Sequence, residues 1–533
     1  MTRDKLQLQK KCVLGVNTAV KGGVLLLDEE QVLYSSGNHV LVWNKYKRIQ
    51  LFVHQCSNGE EIQLLSLCSS RKQIAIAVKS VKNGHHLIIY DAITYKRKKV
   101  IKLQNVEDNS DVISLSFSQD GKQILVLRDA PFYFLSLWNI EKTAKAVASI
   151  RLATPSGKQM RTAQLKPSSD NSKEIVVCAS GKGIIRFFKV VDGIFRPITV
   201  NLRREQQNYI VQRWLSSDVL ILGTDLNELI VIQKFDMKNV VKIDGWEECI
   251  TSMTTFSQGV IVGAADGSLR IYNCTNETQY VPTFAKSVID GSNNLLEIVS
   301  IDKTPTEEFL ICFESSGKVS SYPLSDNEHA MGETMIPCFH TPSLNGDSCI
   351  TCMDICLFKP ILATGGSDKT VRFWNYKTNN FEITSQFDND IISLSLHPSS
   401  LQILICSHSH VELNYIYDKE LKQIWRRDKQ QLLSCKFSNG GQYFALTCGP
   451  YVQVYDTYKF EPICTLRGHS ARIETIAWRQ DDQEVATIGL DGVVCKWNVS
   501  NGKRVLRYGE FGPICRLSRM IGEMILNILI RQI

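Results

Sequence analysis

One pattern recurs along this chain and limits what it can fold into: a short β-branched strand, then an aromatic residue, then Asp or Asn. It closes HVLVWN (39–44), HLIIYD (86–91), FLSLWN (134–139), SLRIYN (268–273), TVRFWN (370–375), YVQVYD (451–456) and VVCKWN (493–498). The repeat-closing aromatics include Trp43, Tyr90, Trp138, Tyr272 and Tyr455; the step from Trp43 to Tyr90 is 47 residues, from Tyr90 to Trp138 is 48, and from Tyr455 to Trp497 is 42. Weaker copies fill the gaps at IIRFFK (184–189), ELIVIQ (228–233), KVSSYP (318–323) and NYIYD (414–418). A period of about 40–50 residues built from short strands is the signature of a β-propeller. One such repeat cannot bury its apolar face alone, so neighbours on both sides are required.

The copies predict an all-β fold of tandem propellers. The first has about seven blades over residues 1–335, the second is a partial ring of about four over 336–512, and 513–533 form an atypical tail. A half-ring leaves strand edges and blade faces open. Either a partner completes it, or the natural chain continues past residue 533. The first blade reads as VLLLD (24–28), QVLYSS (31–36) and HVLVWN, with CVLGV (12–16) as a candidate extra outer strand. Turn chemistry supports the strands elsewhere: Asp120-Gly121 and Asn439-Gly440 supply residues tolerant of positive φ between period-2 runs.

Charged residues make up 22% of the chain and the formal charge is +7, so no strong pull toward nucleic acid is encoded. The seventeen cysteines show no disulfide spacing, and several, such as Cys178, Cys406 and Cys495, sit in apolar strands as small hydrophobes. That usage fits a reducing cytosolic setting. The N-terminus lacks the apolar core of a signal peptide, and no 18-residue apolar run occurs, so no membrane partner is expected. Phosphate-binding loops and the GxSxG and HExxH motifs are absent from the sequence. Cys349 and Cys352, with Cys338, Cys356 and His340 nearby, invite a zinc reading, but residues three apart on a strand point to opposite faces. The expectation is therefore an interaction protein with no catalytic residue, cofactor, metal or small-molecule substrate.

The best-formed repeat is LRGHSARIETIAWRQDDQEVATIGLDGVVCKWNVSNGKR (466–504), and its Gly468-His469, Asp491 and Trp497 resemble the signature positions of WD40 repeats. That resemblance implies a structural relay through His469, Thr487, Asp491 and Trp497. A second copy would use Thr364, Asp368 and Trp374, with His340 as its histidine. Losing one member of such a buried network costs roughly 1–3 kcal/mol. Longer segments go beyond the generic repeat: LLLDEEQVLYSSGNHVLVWN (25–44), QNYIVQRWLSSDVLILGTD (207–225), GGSDKTVRFWNYKTNNFEI (365–383), ISLSLHPS (392–399) and CKFSNGGQYFA (435–445). In this order the chain resembles the cilia- and flagella-associated protein 57 family over roughly residues 20–506.

The resemblance implies a non-enzymatic axonemal scaffold that supports assembly of inner dynein arms and regulatory complexes on ciliary doublet microtubules. Its partners would be other axonemal proteins and tubulin, with nucleic acid not among them. The family pattern of tandem propellers and a long coiled coil is met here without the coiled coil. On charge alone, Lys96, Arg97, Lys98, Lys99, Arg203 and Arg204 form a candidate contact surface for the acidic microtubule. A scaffold subunit of a ribosome-assembly particle is the alternative. A propeller enzyme ranks last, because the strands nearest the axis would present Ser114, Ser116 and Thr475 rather than converging carboxylates or metal ligands.

Overall fold

The computed structural model describes most residues between Val13 and Tyr508; residues 1–12 and 509–533 lie outside the description, as do internal stretches of which 104–109, 168–173, 201–206, 244–248, 288–296, 325–332 and 337–349 are the longest. The described residues are built of antiparallel four-stranded sheets, and the chain divides into two compact units, Met1–Phe339 and His340–Ile533. In the first unit the sheets span 24–55, 60–102, 112–152, 159–198, 209–242, 250–287 and 298–336. In the second they span 350–386, 391–428, 432–467 and 473–508. The fold is an all-β WD40 propeller, and each sheet is one blade.

The position of a strand within its sheet decides its composition. Second strands are covered on both faces by neighbouring sheets, so Val219–Thr224, Gly259–Ala264 and Gln402–Ser407 are buried at all six positions and read as continuous apolar runs. Fourth strands form the outer rim and face water, as Leu421–Asp428 and Arg504–Tyr508 do. First strands contact first strands of the adjacent sheets and so line the inside of each unit.

Where the aromatic–Asx signature occurs it marks the third strand of its sheet, not the last one, and its two residues have separate jobs. Register shifts by one residue at the aromatic, between Ile89 and Tyr90, Leu137 and Trp138, Ile271 and Tyr272, and Val454 and Tyr455. This bulge turns the ring into the gap between sheets. The following Asx caps the hairpin to the fourth strand. Asp91 Oδ1 accepts from the Ile93 and Thr94 amides, and Asp456 Oδ1 from the Tyr458 and Lys459 amides. The turn then closes through a positive-φ residue whose amide donates to the Asx carbonyl: Arg48, Tyr95, Phe460 and Gly502 take this place.

The first unit closes on itself. Val24, Leu26, Tyr34 and Leu41 of the first sheet share one buried cluster with Ile311, Phe313, Val319 and Ile336 of the seventh. Polar contacts also cross the seam. The Leu26 amide donates to Asp302 Oδ2 at 2.8 Å, and Arg71 donates to the carbonyls of Leu26 and Lys303 at 2.5 and 2.7 Å. Burial pushes the Asp302 carboxyl above its ordinary range, against the pull of Arg71. In the second unit each sheet packs on the next, through clusters that join 350–386 to 391–428, 391–428 to 432–467, and 432–467 to 473–508.

Two local expectations change. Val13, Gly15 and Val16 are not in a strand: the Val13 backbone pairs with the Gln50 side chain, at 2.9 Å from its amide and 2.8 Å to its carbonyl, so a side chain satisfies what a strand would have. In the turn after Asn439 the positive φ falls on Gly441, at 77°, and not on Gly440. A Cβ on Gly441 would lie 2.1 Å from His397 Nε2, so the close approach as well as the conformation demands glycine. The readings of SDNEHAMGETMIPCFHTPSLNGDS (325–348) as the passage between units and of 513–533 as a tail fall largely or wholly outside the described residues, though 333–336 is the fourth strand of the seventh sheet.

Candidate functional site

The last sheet carries a continuous hydrogen-bonded chain of side chains. Trp497 donates its indole N–H to Thr487 Oγ1 at 2.8 Å, and Thr487 Oγ1 lies 2.8 Å from His469 Nε2. His469 Nδ1 lies 3.1 Å from both oxygens of Asp491. One proton arrangement satisfies every member: the hydroxyl donates to Nε2 and the ring donates Nδ1–H to the carboxylate. Asp491 also accepts from the amides of Ser470 at 2.9 Å and Val493 at 3.1 Å. Burial alone would raise the Asp491 carboxyl, but these amides and the His469 ring together hold it below its ordinary value. The network ties the loop before the first strand, the second strand and the third strand of one blade, and its acid and base are spent on each other.

In the second copy Trp374 donates to Thr364 Oγ1 at 3.1 Å, and Asp368 accepts from the Thr370 amide and hydroxyl at 3.2 and 2.8 Å. The proposed His340 lies outside the described residues, as do Cys338 and Cys349 of the zinc reading. Cys352 packs instead against the cluster that joins the first two sheets of the second unit. The remaining closing aromatics sit between sheets. Tyr90, Trp138, Tyr272 and Tyr455 each join a cluster with the preceding blade, and Trp43 packs against the first–seventh seam.

The basic run 96–99 is placed on the outer rim of the second blade, in the turn and fourth strand. Lys96 and Arg97 are exposed. Lys98 pairs with Asp91 at 2.7 Å and holds that carboxyl well below its ordinary range, while Lys99 donates to the Ile140 carbonyl at 2.6 Å. Arg203 and Arg204 fall outside the described residues.

The inner strands hold features that sequence reading assigned only by position. Ser114 Oγ donates to the Ala163 carbonyl and accepts from the Ala163 amide, both at 3.1 Å, and Ser116 accepts from the Leu165 amide. Ser393 and Ser395 do the same for the amides of Cys435 and Phe437. Neighbouring first strands belong to separate sheets, and a short hydroxyl bridges blade to blade. The signal was the alternating Ser in SLSF and SLSL.

Sequence reading missed one grouping of chemistry-bearing side chains. A ring nitrogen of His54, the Cys56 thiol and a Glu60 oxygen all lie within 4.8 Å of one another, each residue half-buried, where the first blade hands over to the second. Tyr90 OH lies 2.8 Å from His54 Nδ1. The Ser57 amide donates to Glu60 Oε2 at 2.9 Å and holds that carboxyl low. Burial keeps His54 below its ordinary value and pushes the Cys56 thiol up to about 11. His54 and Cys56 share a face because they are two apart on extended chain, but Glu60 reaches them only through a turn.

Comparison with known proteins adds the following. Residues 12–289 match the family model described as CFAP43 N-terminal domain, and 337–375 and 460–498 match the WD domain, G-beta repeat. Cilia- and flagella-associated protein 57 of Mus musculus is 24% identical over 92% of this chain and 43% of its own length. Cilia- and flagella-associated protein 57 A of Tetrahymena thermophila is 24% identical over 96% and 44%. Echinoderm microtubule-associated protein-like 4 of Homo sapiens is 20% identical over 91% and 50%. The chain spans less than half the length of the first two relatives.

Proposed function

From the premise that this chain belongs to the CFAP43 N-terminal domain family, we propose that it is a non-enzymatic WD-repeat scaffold of the ciliary or flagellar axoneme. The observation that carries the reading is alignment with relatives named cilia- and flagella-associated protein 57 along more than nine-tenths of the chain. A likeness of similar extent to a protein named as microtubule-associated supports a setting on microtubules. Within that setting it supports assembly of inner dynein arms and regulatory complexes.

Stiff blades and exposed turns suit such a role, since partners dock on loops held by a rigid frame. On the rim of the second blade, Lys96 and Arg97 are the outward cations offered to an acidic surface. The direct test is peptide mass spectrometry on demembranated axonemes and a nuclear extract of the same cells. Recovery in axonemes, with easier salt extraction after Lys96→Glu and Arg97→Glu, is expected. Recovery from the nuclear extract alone overturns the axonemal reading.

A further inference from the structure

We propose that His54, Cys56 and Glu60 form a three-ligand site for a zinc-class divalent cation at the junction of the first two blades. The donor set is chemically matched: an imidazole, a thiol and a carboxylate are the ligands that borderline-soft Zn²⁺ takes, and thiolate plus carboxylate neutralise its charge. The spacing is close to what an ion needs. Metal bonds of about 2.0–2.3 Å at tetrahedral angles put ligand atoms about 3.5 Å apart. The three donor atoms already lie within 4.8 Å of each other.

Two further observations point to a ligand. His54 Nδ1 is engaged by Tyr90, while Nε2 is buried and has no hydrogen-bond partner. This is how metal-binding histidines are commonly held: one nitrogen is fixed by a neighbour and the other is left to coordinate. A turn cap explains the Ser57–Glu60 contact, but it does not explain the orphaned nitrogen. The arrangement also joins two blades, since His54 lies on the fourth strand of the first sheet and Glu60 opens the second sheet. A bound ion would therefore pin the fourth strand of the first blade to the start of the first strand of the second. Three protein ligands leave the fourth position to water.

The test uses the full chain titrated with cobalt(II), a spectroscopic stand-in for zinc, and with zinc alone. One equivalent of cobalt should give a thiolate-to-metal charge-transfer band and tetrahedral visible bands. Cys56→Ser should abolish the charge-transfer band, and His54→Ala and Glu60→Gln should each weaken binding at least tenfold. Cys464→Ser, at another half-buried thiol, should leave the spectrum unchanged. Absence of the band at one equivalent, or its survival in Cys56→Ser, overturns the proposal. If Cys56→Ser does not fold, alkylation of Cys56 in the unmodified chain decides. Zinc should slow it at least tenfold, and a rate indifferent to zinc rejects the site.

Discussion

Thr487→Val removes one oxygen from the His469–Thr487–Trp497 relay and keeps the shape of the side chain. Thr487 is fully buried, and its hydroxyl serves both the Trp497 indole at 2.8 Å and His469 Nε2 at 2.8 Å. Valine leaves both of those groups without a partner. Each unsatisfied buried group costs about 1–3 kcal/mol, so the pair should cost about 3 kcal/mol. Thr487→Ser keeps the hydroxyl and loses one methyl, worth about 1 kcal/mol. Hydrophobic transfer alone predicts the reverse order, with valine the better residue. The assay is amide hydrogen exchange by mass spectrometry over 466–504, because opening of one blade need not unfold the chain. A local loss of 3 kcal/mol corresponds to exchange faster by roughly 150-fold, since 1.4 kcal/mol is a factor of ten. If valine exchanges as slowly as threonine, or more slowly than serine, the relay does not hold the blade and the reasoning fails.

The remaining predictions concern charge, closure and backbone. Asp491 has a folded-state pKa below its unfolded value, so its contribution is present above about pH 4 and lost as pH falls through the folded value. Acidification slows intrinsic amide exchange, so the protection factors over 466–504, which correct for that, should fall as pH drops, and Asp491→Asn should flatten that dependence. Arg71→Met takes a donor from two carbonyls and removes the stronger of the two cations that offset the burial of Asp302, leaving Arg213; about 2–4 kcal/mol of seam stability should go, read as faster exchange in the Leu26 and Lys303 peptides. Gly441→Ala meets His397 at 2.1 Å with a φ of 77°, so it should lower the melting temperature far more than Gly440→Ala, whose φ is not positive.

The blade strands were legible from consecutive residues, whereas CVLGV (12–16) reads as a strand but its Val13, Gly15 and Val16 lie in none, because the Val13 backbone pairs with the Gln50 side chain. Period-2 alternation and an aromatic followed by Asx are local features, and every segment that carries them is the third strand of a sheet. The relay members His469, Thr487, Asp491 and Trp497 were legible only because their pattern resembles a known repeat. Their hydrogen bonds span 10 to 22 residues and follow from no local rule. His54, Cys56 and Glu60 match no known motif, so the sequence did not mark them out.

Tertiary structure alone decided the rest, and the physical reason is the same each time. A propeller is stabilised between blades, where the partners are one repeat apart or more. Ser114 meets Ala163 across 49 residues, and Leu26 meets Asp302 across 276. Nothing in the neighbourhood of Asp302 marks it as the carboxylate that closes the first unit. Nor does the Asn439-Gly440-Gly441 turn tell which glycine must lack a side chain, because His397, 44 residues earlier, sets that limit. The sequence by itself determined the blade, since a blade is made of neighbours along the chain; the ring, its seam and the grouping of His54, Cys56 and Glu60 exist only once blades are packed against blades.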